Sequence, residues 1–394
     1  MPDSSATSRR PVVLTLVDFY PPAFRAGGPI RSLPRIAEQL QGSIDFRVVT
    51  RDRDLGSATP LPVRSDAWVA SGPVRCLYLS SRARARGRLI RTLRHLDHDA
   101  LYVNSIFSVE FSVLPLLLRR LGLIRRRGLL IAPRGELDPA ALALKGRRKR
   151  LYVLLAGRLG LFAGALWHAA NPAEAAAIEG TFGHGASVRI AADLPATPGT
   201  PVPLPAKHAG ELALTFIGRI SPMKNLDFAI DVLRTVESRV FFDVYGPIED
   251  EAYWTACLRR AESLPSNVTM TYGGVLEPDA VAGAIAEHHV VFLPSRAESF
   301  GHVHVEALAA GRPIVTSDHT PWRDLEAEHA GFAIALSSPA RFVEVIDRFA
   351  AMPRRELQAW SAGARALAQR IAADPARDSA YRDLFEAVLH SGAR

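Results

Sequence analysis

VVFLPSRAESFGHVHVEALAAGRPIVT, residues 290–316, reads as strand, loop, helix and strand in succession. Its opening apolar run stops at Pro294-Ser295, Gly301 interrupts the loop, and Ala-Leu-Ala-Ala-Gly-Arg-Pro closes a helix expected over 302–310. Two short apolar runs joined by a helical segment describe parallel strands with a crossover helix. The alternation extends in both directions. Upstream, the pattern predicts strands at 212–218, 240–245 and 268–272 and helices at 225–237 and 278–287, and two or three amphipathic helices close the chain. The first half repeats the scheme, with strands at 12–17, 45–50, 74–79, 100–104 and 129–132. The expected fold class is therefore α/β, with two doubly wound parallel sheets covered by helices on both faces.

At 394 residues the chain exceeds what one hydrophobic core serves. Residues 193–210 hold five prolines and almost no periodicity, which marks a linker. The expected organisation is an N-terminal domain over 1–192, the linker, a second domain over 211–375, and a last helix over 376–394 that packs back on the first domain. Asn171-Pro172-Ala173-Glu174 reads as a helix start, with Asn171 as N-cap and Glu174 able to close a capping box.

Hydrophobic residues make up 48% of the chain, yet the one long apolar stretch, 151–170, is broken by Arg158 and glycines. The N-terminus has no apolar core, so neither a signal peptide nor a membrane span is expected, and a cytoplasmic protein fits. Cys76 and Cys257 form no motif. Through Pro205 there are 29 Lys and Arg against 15 Asp and Glu; the remainder has 19 against 25. Most of the basic excess lies at 82–94, 119–127 and 145–158. In the last cluster, cations precede an apolar run, which suits docking on an anionic lipid surface at the inner face of the membrane. A set of solvated helix faces accounts for the same clusters equally well. The clusters lack interleaved aromatics, and no nucleic-acid partner is expected.

Ligands of open parallel sheets bind beyond the carboxyl ends of the strands, so loops that follow strands are where chemistry is sought. Residues 218–225, GRISPMKN, follow a strand and enter a helix. Arg219 and Lys224 can there meet a diphosphate beside helix-terminal amides, although a βα turn with surface cations looks alike. In residues 294–306, Glu298 sits in the loop and Glu306 about a turn into the helix. One carboxylate can meet sugar hydroxyls and the other a ribose, while the amides around Ser299, Phe300 and Gly301 approach the charged leaving group. Phe300 also reads as a packing residue. His302 reads equally as a donor contact or a cap. With His304 it lacks the i, i+4 spacing of a zinc pair, and no metal is expected. Asp18, after the first strand, can orient an acceptor or simply be solvated.

Together, Gly218-Arg219 with Lys224-Asn225, the Glu298 and Glu306 pair, and the following Ala-Leu-Ala-Ala-Gly-Arg-Pro-Ile-Val resemble the retaining family 4 glycosyltransferases of GT-B architecture. Such enzymes carry two Rossmann-like domains facing a cleft. The similarity runs along nearly the whole chain. Phe19-Tyr20-Pro21-Pro22 with Gly27-Gly28 is similar to the family's first βα loop. Ala132-Pro133-Arg134-Gly135, followed by Lys145, resembles a subset that builds polysaccharide or lipopolysaccharide precursors, and His168-Ala169-Ala170-Asn171 its strand-to-helix segment before the linker.

The resemblance implies a hexosyltransferase that uses a nucleotide-diphosphate sugar and a lipid-linked or glycan acceptor, with no cofactor and usually no metal. It implies that Arg219 and Lys224 bind the diphosphate, Glu298 the transferred sugar and Glu306 the ribose, and that Gly28 lets its loop close over the phosphates. Many relatives carry a histidine near the position of Arg134; a guanidinium there cannot act as a base. Ala191-Ala192-Asp193-Leu194 replaces the usual Asn-Gly turn. Two rival readings are a GT-B sugar-nucleotide epimerase and a catalytically idle binding protein that uses its basic face.

Overall fold

The computed structural model describes residues 9–81, 84–143, 146–195, 199–200 and 202–391. Lys145 and Arg82, which open two of the basic clusters, lie outside them. The N-terminal sheet is built from β1 (Val12–Leu16), β2 (Asp45–Arg51), β3 (Trp68–Ser71), β4 (Val74–Leu79), β5 (Ala100–Asn104), β6 (Gly128–Ala132), β7 (Ala165–Ala169) and β8 (Ser187–Ile190). Their order across the sheet is β3-β4-β2-β1-β5-β6-β7-β8, and every pair is parallel except β3 with β4. The second sheet contains β9 (Glu211–Ile217), β10 (Arg239–Tyr245), β11 (Val268–Tyr272), β12 (Val290–Leu293), β13 (Ile314–Ser317) and β14 (Gly331–Ile334). It runs β11-β10-β9-β12-β13-β14, all parallel. The strand order reverses beside β1 in one sheet and beside β9 in the other, which opens a crevice at the carboxyl end of each.

Alternation along β1 shows how the N-terminal sheet is buried on both sides. Val13 joins a core with Leu33 and Ile36 of helix Gly28–Leu40, while Leu14 and Leu16 join another with Leu89, Leu93 and Leu116. Successive strand side chains point to opposite faces, so an all-apolar strand needs a layer on each. Part of the first layer comes from the far end of the chain. Tyr381, Leu384, Phe385 and Val388 of helix Pro375–Ser391 are buried against Phe46 and Tyr102. A side chain at Gly128 would meet the Val388 carbonyl oxygen at 2.2 Å, so glycine there permits the close approach of helix and β6.

The helix expected over 225–237 ends at Leu233, and the Glu237 amide donates to the Asp347 carboxylate at 3.2 Å instead of continuing the ladder to the Leu233 carbonyl. Asn171 caps helix Pro172–Phe182, its side chain accepting from the Glu174 amide at 2.9 Å. The Glu174 carboxylate does not close a capping box on Asn171. It accepts from the amides of Ala170 at 2.7 Å and Gly135 at 2.6 Å, tying the β6 loop to this helix start. Among the described residues, no helix is long and apolar enough to cross a membrane.

Candidate active site between the two sheets

Loops from the carboxyl ends of both sheets face each other across a cleft that holds two adjoining cavities, of about 1060 and 240 Å³. Arg134, Arg219, Lys224, Glu298 and Ser299 line both, so they mark where the cavities meet. The smaller runs from Gly27 and Gly28 of the N-terminal domain to an apolar end at Tyr245, Leu276 and Val281. The larger is polar at its N-terminal wall, where Asp18, Asn104, Glu136 and Glu174 face it.

The cations and acid of the second domain converge because three strand-end loops are adjacent. Gly246 (φ +141) lies so close to the β9 loop that a Cβ would sit 1.9 Å from the Gly218 carbonyl oxygen. Lys224 pairs directly with Glu298, which also accepts from Ser295 Oγ at 2.8 Å. Burial pushes the Glu298 carboxyl up. Lys224, His304 and the two hydrogen bonds outweigh it, holding Glu298 below the ordinary carboxylate range and ionised. Arg219 donates to Glu249 at 2.8 Å. Gly301 (φ +79) turns the chain into helix His302–Ala309, whose two opening amides, those of His302 and Val303, have no intrahelical partners. Phe300 lines the smaller cavity but is 5% exposed. Its ring packs on Trp322 and its carbonyl accepts from Trp322 Nε1 at 2.8 Å.

Glu306 stands apart from this cluster. It lies a turn into the helix, outside the lining of either cavity, and Arg31 of the N-terminal domain pairs with its Oε1. Glu306 Oε2 is buried without a hydrogen-bond partner among the described residues. Burial, with Arg35 nearby, lowers Arg31 to about 10, and Arg31 lines the smaller cavity. The carboxylate expected to meet a ribose is thus engaged by Arg31.

On the opposite wall Arg134 (φ +57) is buried and held on every nitrogen. Nη1 donates to Asp193 at 2.9 Å, Nη2 to the Tyr102 hydroxyl at 2.8 Å, and Nε and Nη2 to Asn104 Oδ1 at 3.1 and 3.0 Å. It therefore offers the cavity a fixed positive charge more than free donors. Burial raises the Asp193 carboxyl, but Arg134 and His302 overcome this and hold it well below its usual range. Asp193 also gathers both domains. Ser32 Oγ lies 2.8 Å from Asp193 Oδ2 and 3.1 Å from His302 Nε2. Burial keeps His302 neutral, and a proton on Nε2 completes the chain from His302 to Ser32 to Asp193. His304 points away, to Thr316 Oγ1 at 3.0 Å, so the two histidines do not share a ligand.

Asp18 is paired, not solvated: it accepts from Arg51 at 2.7 Å and Ser108 at 3.0 Å. Asn171, expected only as a cap, also donates to the Ser299 carbonyl across the cleft at 2.5 Å. Gly28 lies beside the His302 ring, where a Cβ would sit 3.9 Å from Cδ2. Arg31, Asp193 and the second role of Asn171 escaped the sequence reading because each depends on a partner far along the chain. The helical spacing that places Arg31 on the first turn after Gly28 was the one available signal.

Two doubly wound sheets facing across a cleft define the GT-B fold. Sucrose-phosphate synthase from Thermosynechococcus elongatus superposes with a TM-score of 0.71 at 17% identity, over 96% of this chain and all of that one. HepE from Anabaena, in complex with UDP-glucose, gives a TM-score of 0.69 at 17% identity over 96% and 99%. Residues 205–366 match the model of the family described as Glycosyl transferases group 1. A D-inositol 3-phosphate glycosyltransferase of Rhodococcus erythropolis is 32% identical over 116 residues, 28% of this chain and 26% of that protein. The match thus spans about a quarter of that relative's length.

Proposed function

We propose that the protein is a glycosyltransferase that moves a hexose from a nucleotide-diphosphate sugar to a lipid-linked or glycan acceptor, with retention of configuration, in cell-surface glycan synthesis at the inner face of the membrane. One observation carries the reading: the smaller cavity and the larger cavity meet at Lys224, Glu298, Arg219 and Arg134. The family match over 205–366 supports it, because every second-domain member of this group lies within the match.

The smaller cavity takes the nucleotide, its base toward Tyr245, Leu276 and Val281. Arg219, Lys224 and the amides opening helix His302–Ala309 meet the diphosphate. Ionised Glu298 accepts hydrogen bonds from the sugar hydroxyls. The acceptor enters from the larger cavity, and its oxygen attacks the anomeric carbon on the leaving-group face. As the new C–O bond forms, the sugar–phosphate bond breaks and the acceptor proton passes to the departing phosphate oxygen. The protein contributes orientation and fixed positive charge where negative charge grows. Arg134 adds charge and cannot take the proton. The reading uses no metal or cofactor.

Thermal unfolding with a panel of UDP- and GDP-sugars tests it. One donor should raise the melting temperature, since a ligand at about 100 times its Kd adds about 2.7 kcal/mol of stability. Product should form only when acceptor is added. No shift with any nucleotide or nucleotide sugar, or epimerised donor in the absence of acceptor, defeats the proposal.

A further inference from the structure

Helix Gly146–Arg158 turns two faces to different surroundings. Tyr152, Val153 and Ala156 pack into the N-terminal core, and Lys149 reaches the larger cavity. Outward, Leu151, Leu154 and Leu155 are 56%, 49% and 47% exposed, and Leu159, just past the last turn, is 58% exposed. The 151, 154, 155 spacing puts the leucines on one stripe. Arg147, Arg148, Arg150 and Arg158 border it and are themselves exposed. A water-facing helix presents the reverse, with polar residues at the centre of its open face.

A second patch adjoins the first. Arg120 Nε donates to the Leu159 carbonyl at 2.9 Å, and Arg119 Nη1 to that of Ala163 at 3.0 Å, which sets the end of helix Leu114–Arg120 against the turn after Arg158. Leu121 and Leu123, beyond that end, are 62% and 50% exposed. Residues 111–173 contain twelve Lys and Arg and two acids, Glu136 and Asp138, and both acids line the larger cavity. Among the described residues, Arg120, Arg147, Arg148, Arg150 and Arg158 make no ion pair.

Charge decides between occupants. A second copy docking through the same face would set arginine against arginine. A polyanion such as nucleic acid would match the cations and leave the leucines in water. We propose that this face docks on an anionic lipid bilayer, the leucines entering the acyl boundary and the arginines meeting the headgroups. The helix that carries the stripe also sends Lys149 to the larger cavity, so docking places that cavity at the membrane surface, where an acceptor with a lipid anchor resides. The lipid-anchored acceptor rests on the function proposed above; the docking itself does not.

Sedimentation of the full chain with phosphatidylcholine vesicles, with and without phosphatidylglycerol, tests the docking without donor or acceptor. The protein should pellet with the anionic vesicles and be released by salt. The combined Leu151→Gln, Leu154→Gln and Leu155→Gln variant should stay in the supernatant at every salt concentration with an unchanged melting temperature. Replacing Arg147, Arg148 and Arg150 with glutamine should weaken binding by about fivefold per residue, about 100-fold in all. Equal binding to neutral vesicles, no binding by the natural chain, or a dimer dispersed by the leucine changes would each overturn the proposal. Failure of every nucleotide sugar to bind would sink the proposed reaction and leave the vesicle result standing.

Discussion

The two walls of the cleft each hold a shielded ion pair, and the pairs are supported in different ways. Lys224 and Glu298 open onto both cavities, with Ser295 as a further partner for the carboxylate. Arg134 donates to Tyr102 and Asn104 and Asp193 accepts from Ser32 and Tyr381, so the pair is embedded in hydrogen bonds, its side chains 9% and 5% exposed. The second-domain wall keeps charge available to a ligand. The N-terminal wall has used its hydrogen-bonding capacity to fix one guanidinium before any ligand arrives. Mutations on one wall should therefore read out in turnover, and those on the other in folding.

The largest expected effect falls on the embedded pair. Asp193→Ala leaves a buried guanidinium uncompensated and should cost about 3–5 kcal/mol in denaturant unfolding. A loss below about 1 kcal/mol would show that the two walls do not differ in this way. Glu298→Ala and Lys224→Ala should each lower kcat/KM by an equivalent of about 2–4 kcal/mol. Water in the open cavity can replace the missing partner, so their unfolding midpoints should fall less than that of Asp193→Ala.

Acid sharpens the contrast more gently. Burial lowers His168 of the N-terminal domain and His304 of the second to about 4. Below the unfolded value of about 6.5 the unfolded chain takes up protons that these folded imidazoles refuse, so stability must fall as pH drops from about 6.5 toward 4. The loss should be on the order of a few kcal/mol, and a His168→Gln variant that still folds should show a shallower slope in denaturant titrations across that window. The smallest effect belongs to the half-exposed pair of Arg219 with Glu249. Glu249→Ala should change stability by under about 1 kcal/mol, and a greater loss in thermal unfolding would mark the pair as more than a surface contact.

Much of the fold was legible because central strands of a doubly wound sheet are continuous apolar runs. The expected bounds 74–79, 100–104 and 290–293 coincide with β4, β5 and β12. The edge strands of the N-terminal sheet carry no such signal: β8 is largely exposed and β3 half-buried. β7 escaped the strand pattern because its apolar run continues that of helix Gly146–Arg158, and the one charged residue between them, Arg158, lies at the helix end and not at the start of the strand. At the site, Lys224 and Glu298 were legible because each follows an apolar strand in a loop of distinctive chemistry. The partners of Arg134 and Glu306 were not. Asp193 and Arg31 lie 59 and 275 residues from them, and no local period records a contact made only by tertiary packing.

Helix Pro375–Ser391 gives the chain an unusual order of completion. The sheet made first during synthesis lacks part of one covering layer until Tyr381, Leu384, Phe385 and Val388 emerge, after every strand of the second sheet. The later-made sheet has its own core and can close sooner, reversing the usual sequence in which the leading domain matures first. Removing the last turns would accordingly injure the domain farthest from them in sequence, and the leading half expressed alone would present Phe46 and Tyr102 to solvent as an adhesive surface.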